Sequence, residues 1–135
     1  MTNTTTAPAT AAPAPTEFDG FIERYLQLWN EDDAGRRRRL VEELWRPDAA
    51  NYTATIEAVG HDQVFDRVTR AFDTFVGTGE HRFRLHRPPL AHHGAVRVWW
   101  EVVAVADDRV VATGQEFLVL DDAGCIASDH QFPVD

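Results

Sequence analysis

The spacing of the apolar residues changes once along this chain, and that change limits the fold more than any single motif does. Up to residue 76 most apolar residues recur at helical spacing. Beyond residue 80 they fall in alternating or continuous β-rich runs. Phe18, Phe21, Ile22, Tyr25, Leu28 and Trp29 predict an amphipathic helix over about 17–30, with Thr16 as its cap and Asp19 as a weaker capping-box acid. A second helix starts at Asp32 or Asp33, carries Leu40, Val41, Leu44 and Trp45 on one side, and stops at Pro47. Ala50–Ile56 alternates weakly and reads as a strand. A third helix, about 61–76, sets Val64, Val68, Ala71, Phe72 and Phe75 on one face and closes at Gly77 and Gly79. His81–His86 alternates until Pro88-Pro89 breaks it, and His92-His93 before Gly94 reads as a hairpin loop. Ala95–Ala106, Val110–Leu120 and Cys125–Phe132 follow as strands, with turns at Asp107-Asp108 and Asp121–Gly124. Helices followed by an antiparallel meander predict an α+β domain with the helices packed on one face of the sheet.

The 135 residues suit one domain, and four Trp with eight Phe supply enough apolar surface for a core without disulfides or metal. A net charge of −9 repels phosphate backbones and anionic lipid, which argues against nucleic-acid and membrane partners. The basic run Arg36–Arg39 is expected to be a solvated helix face, with Arg38/Glu42 and Arg39/Glu43 at i,i+4 spacing. A lone Cys125 and the absence of an apolar run near the roughly 20 residues that span a bilayer point to a cytoplasmic protein. Residues 1–16, rich in Thr, Ala and Pro, read as a disordered tail before a domain over 17–135.

Four pieces in fixed order carry a resemblance: Arg24-Tyr25 and Trp29-Asn30 in the first helix, Leu44-Trp45-Arg46-Pro47-Asp48-Ala49 after the second, Val96-Arg97-Val98-Trp99-Trp100-Glu101 in the sheet, and Gly114-Gln115-Glu116-Phe117 followed by Leu120–Ile126. With them the chain, over about 17–134, resembles the nuclear-transport-factor-2-like superfamily, in particular its SnoaL-like and ketosteroid-isomerase-like branches. The resemblance implies a curved antiparallel sheet that forms, with three helices, a cone-shaped pocket. It does not imply one function, because such folds serve cyclases, isomerases, dehydratases, epoxide hydrolases and binding proteins.

Glu116 interrupts the β run that continues with Phe117, Leu118, Val119 and Leu120. A carboxyl buried there needs a partner or a proton. The resemblance implies that Glu116 donates a hydrogen bond to a developing oxyanion and that Tyr25 donates another. The competing readings are a solvent-facing or Arg-paired Glu116 and a purely core Tyr25. The isomerases' general base would fall near Thr53 or Ala54, where this sequence has no carboxylate. Glu57 is the nearest substitute, against its reading as an exposed strand residue.

On the last strand, alternation puts Ile126, Ser128, His130 and Phe132 on one face and Asp129 and Gln131 on the other. Only one of Asp129 and His130 can then face inward, and His130 is taken as the acid–base residue. Trp29, Trp100, Glu57 and Phe72 are the expected substrate-binding residues, with Trp45 and one of Trp99 and Trp100 in the core. His81, His86, His92 and His93 match no zinc signature, so no metal and no cofactor are expected. The reading is a cofactor-independent cyclase, isomerase or dehydratase acting on a small carbonyl-bearing secondary metabolite. Its alternatives are an epoxide-opening enzyme and a non-catalytic binding protein. A homodimer is expected through the convex sheet face near Arg97, Glu101 and the unused Trp of the 99/100 pair.

Overall fold

The computed structural model describes residues 17–133. The segment read as a tail, and Thr16 as a cap, lie outside the described residues. Helix α1 (Glu17–Asn30) buries Phe21, Ile22, Tyr25, Leu28 and Trp29, the face its spacing predicts. Helix α2 (Ala34–Leu44) is capped by Asp33, whose carboxylate accepts from the Arg36 backbone N–H at 2.8 Å.

Not all of the arginine run is solvated. Arg38 pairs with Glu42 at 2.9 Å as expected, but Arg37 turns inward and is buried. Its Nη1 donates to the Glu31 carbonyl at 2.6 Å, and its guanidinium lies 4.5 Å from the centre of the Phe72 ring. The α2 face opposite solvent thus admits an arginine because a backbone acceptor and an aromatic ring wait for it.

The second helix ends at Leu44, three residues before Pro47. Trp45 is already extended and opens strand β1 (Trp45–Tyr52); Pro47 disfavours helical geometry at Arg46 and has no N–H for the Glu43 carbonyl, so the helix stops short of it. A tight turn leads to the short β2 (Glu57–Val59) and then to α3 (Gly60–Ala71). The helix predicted as continuous to residue 76 changes at Phe72 into a π-helical turn (Phe72–Val76), closed by Gly77 N–H donating to the Phe72 carbonyl at 2.7 Å. Four strands follow: β3 (His81–His92), β4 (Ala95–Ala104), β5 (Val110–Leu120) and β6 (Ile126–Pro133).

The strands form one six-stranded sheet in the order β2-β1-β6-β5-β4-β3. Its meander is antiparallel, as predicted, but β1 and β6 run parallel, so the sheet is mixed. No hairpin joins those two strands; the rest of the domain lies between them, and no turn dictates their relative direction. Strand β3 runs through Pro88-Pro89 instead of ending at His86. It is an edge strand, where a missing N–H breaks no ladder, and its register slips on either side of Arg87. The turn to β4 is the pair His93-Gly94, both at positive φ (49° and 77°), the geometry a two-residue hairpin needs. Further slips at Val102/Val103 and Val119/Leu120 bend the sheet.

The helices cover its concave side, where Leu28, Val41, Leu44, Trp45, Val64, Val68, Val98, Leu118 and Ile126 have 0–1% of their surface exposed. Asn30 ties α1 to the far edge: its side-chain amide donates to the Phe83 carbonyl and accepts from the Phe83 N–H, both at 2.8 Å. On the convex side Phe117, Val119 and Phe132 remain exposed. Among the described residues no helix is long and apolar enough to cross a membrane.

Candidate functional site

The concave side is not filled completely. Between α1, α3, the π-helical turn and the inner face of β3–β6 lies a cavity of about 320 Å³. Its walls are mostly apolar, with Trp29, Phe75, Phe83, Leu85 and Trp100 prominent, and its polar lining comes from Tyr25, Thr53, Arg67, Arg70, Thr74, Glu116 and Gln131. The π-helical turn brings Phe75 inside, edge-on to Phe83 with ring centres 5.8 Å apart.

Glu116 sits at the sheet wall of this cavity with only 4% of its surface exposed. Trp100 on β4 holds it, its indole Nε1–H donating to Glu116 Oε2 at 2.8 Å. This contact depends on Gly114. Gly114 is the cross-strand partner of Trp100, and a Cβ at that position would overlap the indole ring. With no side chain there, the ring lies across the strand and reaches Glu116 two residues along.

Behind Glu116 is Asp129, completely buried on β6. Tyr25 Oη–H donates to Asp129 Oδ2 at 2.9 Å, and Asn51 stands directly across from Asp129 in the β1–β6 pairing. Burial pushes the Glu116 carboxyl well above the usual carboxylate range. The Asp129 charge and the hydrogen bond to Asp129 push the same way, against smaller opposing effects of the Trp100 N–H and the Arg67 charge. Burial also raises Asp129, while hydrogen bonds from Glu116 and Tyr25, the Arg67 charge and a hydrogen bond from Asn51 hold it back. Tyr25 is raised well above its ordinary value, first by burial and then by the two acids, and stays protonated. Asp129 Oδ1 is buried with no hydrogen-bond partner, and burial together with the Asp129 charge favours the protonated form of Glu116.

The inward residue of the Asp129/His130 pair is thus Asp129, which overturns the choice of His130. Leu120 pairs with Ile126 but Val119 pairs with Ser128, so β6 carries one extra residue at Ala127. That bulge resets the alternation, and Ile126 and Asp129 both face the core. His130 points to the convex side and lies against Tyr52, with ring centres 4.9 Å apart.

Neither a protein-family model nor a curated protein matches the sequence. Solved structures do match. A SnoaL-like family protein from Agrobacterium tumefaciens str. C58, provisionally named an isomerase, is 26% identical; the match covers 86% of this chain and 96% of that one with a TM-score of 0.76. The chain has the fold of the SnoaL-like and NTF2-like proteins. A SnoaL-like protein from Jannaschia sp. CCS1, provisionally named a polyketide cyclase, shares this NTF2-like fold at 16% identity over 90% of each chain (TM-score 0.65). So does a de novo designed protein with a curved β-sheet, 14% identical over 85% of this chain and 83% of that one (TM-score 0.66). A fold that has been reached by design carries no activity by itself, and the function of this NTF2-like chain must be argued from its side chains.

The NTF2-like cavity receives Tyr25, Glu116, Trp29 and Trp100 of the sequence candidates, and it leaves out the others. Phe72 is buried beneath Arg37, because the π-helical turn directs Phe75 inward in its place. Glu57 is exposed on β2 and reaches no part of the cavity. Trp99, the member of the 99/100 pair left open between the core and the convex patch, lies on the convex side between the guanidinium groups of Arg87 and Arg97, 4.3 and 4.9 Å from its ring centre. Glu101, expected on that convex patch, is buried against Arg84 and His86.

Thr53 does line the cavity, but its hydroxyl accepts from the Thr55 and Ile56 N–H groups and shapes the turn. Asn51, Arg67 and Gln131 were not singled out from sequence. A signal existed for Arg67, which falls on the same helical face as Val64, Val68 and Ala71.

The acid pair makes a prediction about stability in this NTF2-like domain. Glu116 binds its proton more tightly folded than unfolded, so its contribution is fully present below the ordinary glutamate value. It is lost as pH rises from there through the raised value. Thermal melts from about pH 5 to about pH 8 should show wild type losing stability faster than Glu116→Gln, which has no proton to lose. Parallel pH profiles for the two would contradict the assignment.

Proposed function

We propose that this chain is a cofactor-independent acid–base enzyme of the cyclase, isomerase or dehydratase kind, acting on a small carbonyl-bearing molecule. The observation that supports it most is a carboxyl buried at the wall of an apolar cavity and backed by a second buried carboxyl, surroundings that favour its protonated form. A ligand oxygen seated against Glu116 competes with Asp129 for that proton. Glu116 gives its proton to the oxygen as the α-proton passes to a water in the open cavity, and it takes a proton back when the enol returns to the ketone.

The ionised Glu116 formed in that step is stabilised by the Trp100 N–H and by the Arg67 charge. Tyr25 spends its hydroxyl on Asp129, so its role is to fix the second carboxyl, not to bind the ligand oxygen directly. Names of similar proteins agree with this class, one being provisionally an isomerase and another a polyketide cyclase.

Proton exchange on model ketones tests this without the true substrate in hand. Incubating the protein in D₂O with a panel of one- and two-ring ketones and 1,3-dicarbonyl compounds, and following loss of the α-proton signal by NMR, should reveal faster exchange with wild type than with Glu116→Gln. Compounds that bind but exchange no faster than in buffer would make the chain a binding protein of this fold.

A further inference from the structure

The acid pair feels the charge of Arg67 only at a distance and leaves its guanidinium without a carboxylate partner. Arg67 projects from α3 into the lining, and its Nη2 donates to Gln131 Oε1 at 2.8 Å while its guanidinium lies 5.6 Å from the centre of a Trp29 ring. Its Nε is buried and has no acceptor. None of the ion pairs among the described residues includes Arg67; the acidic side chains that form them are Glu31, Glu42, Asp48, Glu101, Asp62, Asp107 and Asp108. One helical turn on, Arg70 lines the same cavity and likewise enters none of those pairs. A guanidinium beside apolar walls, with a donor left over, is a costly arrangement unless something supplies an acceptor.

The two walls therefore differ. The sheet wall offers a protonated acid, suited to a neutral oxygen. The α3 wall offers two cations, suited to an anionic oxygen group, and Arg67 reaches Gln131, the cross-strand neighbour of Glu116. A guanidinium recognises a carboxylate in particular, because its planar fork matches the two oxygens. At about 320 Å³ the space is at the small end of ligand cavities, enough for a one- or two-ring molecule.

We infer that the ligand of this cavity is a carboxylate-bearing ring compound whose anionic group is received by the guanidinium of Arg67, which no carboxylate of the ion pairs above neutralises, with the more exposed Arg70 on the same wall assisting. This deepens the acid–base reading by adding a second group to the substrate, a carboxylate apart from the carbonyl that Glu116 serves. The binding claim holds or fails by itself, since it is read without turnover.

The experiment compares benzoate and 2-naphthoate with benzamide and 2-naphthamide, which keep the shape and lose the charge, by titration calorimetry or quenching of tryptophan fluorescence. Wild type should bind each carboxylate at least about tenfold more tightly than its amide. Arg67→Gln should erase most of that preference while leaving the affinity for the amide unchanged, and Arg67→Lys, which keeps the charge but not the fork, should restore only part of it. Glu116→Gln should retain the preference, so a failed proton-exchange test and a failed carboxylate test are separable results. Equal affinity of acid and amide, no binding of either carboxylate at about 10 mM, or an Arg67→Gln variant that keeps the preference or weakens acid and amide alike would each overturn the inference.

Discussion

Glu116→Ala should lower turnover of the true substrate by about 10²–10³-fold, the usual loss when one donor to a developing oxyanion is removed. Alanine takes away the proton, the acceptor for Trp100 Nε1 and the donor to Asp129 together. Glu116→Gln separates these roles, because the amide still donates a hydrogen bond but gives up no proton. If Glu116 only polarises the carbonyl, the glutamine variant keeps much of the activity; if it transfers the proton, glutamine is as inactive as alanine. The account predicts the second result.

Asp129→Asn supplies the complementary sign. Asp129 raises Glu116 through its charge, so removing that charge lets Glu116 ionise at lower pH. The alkaline limb of the activity profile should move to more acidic pH. A limb that stays in place would show that the two carboxyls do not share a proton.

The second large effect is expected at a residue with no side chain. Gly114→Val should displace the Trp100 indole, because the added atoms fall where the ring lies. Forcing bulk into a packed interior costs about 1–3 kcal/mol, and here the displaced ring also loses Glu116 and is driven toward the ligand space. Urea unfolding should show that loss, and activity should fall by at least about tenfold even where the protein remains folded. Combining Gly114→Val with Trp100→Ala should recover part of the lost stability, since the clash partner is gone. Simple addition of the two single effects would mean that Gly114 is not there to admit the indole.

These features were not equally visible in the sequence. Helix α1 was legible because five buried residues recur at helical spacing, a property of the segment alone. Glu116 was legible because a carboxyl stands out in an apolar strand. Asp129 was misplaced because the bulge at Ala127 arises from how β6 pairs with β5 and β1, and strict alternation across Ile126–Phe132 points to the wrong face. The passage of β3 through Pro88-Pro89 likewise depends on its being an edge strand, a fact of sheet order that no local pattern contains. Phe72 and Phe75 share a face in a continuous α-helix. The π-helical turn that separates them, one toward Arg37 and one toward the cavity, was invisible to a fixed period. Gly114 reads as an ordinary strand glycine until Trp100 is placed beside it.

The central claim is that one proton resides on Glu116 and is shared with Asp129 inside an apolar cavity. Side-chain carboxyl ¹³C chemical shifts of Glu116 and Asp129, followed through a pH titration with Glu116→Gln and Asp129→Asn as assignment controls, test it most directly. The account predicts that Glu116 remains a carboxylic acid well above the pH at which free glutamate ionises, and that its shift and that of Asp129 change together. A Glu116 that titrates independently at the ordinary glutamate value would contradict it.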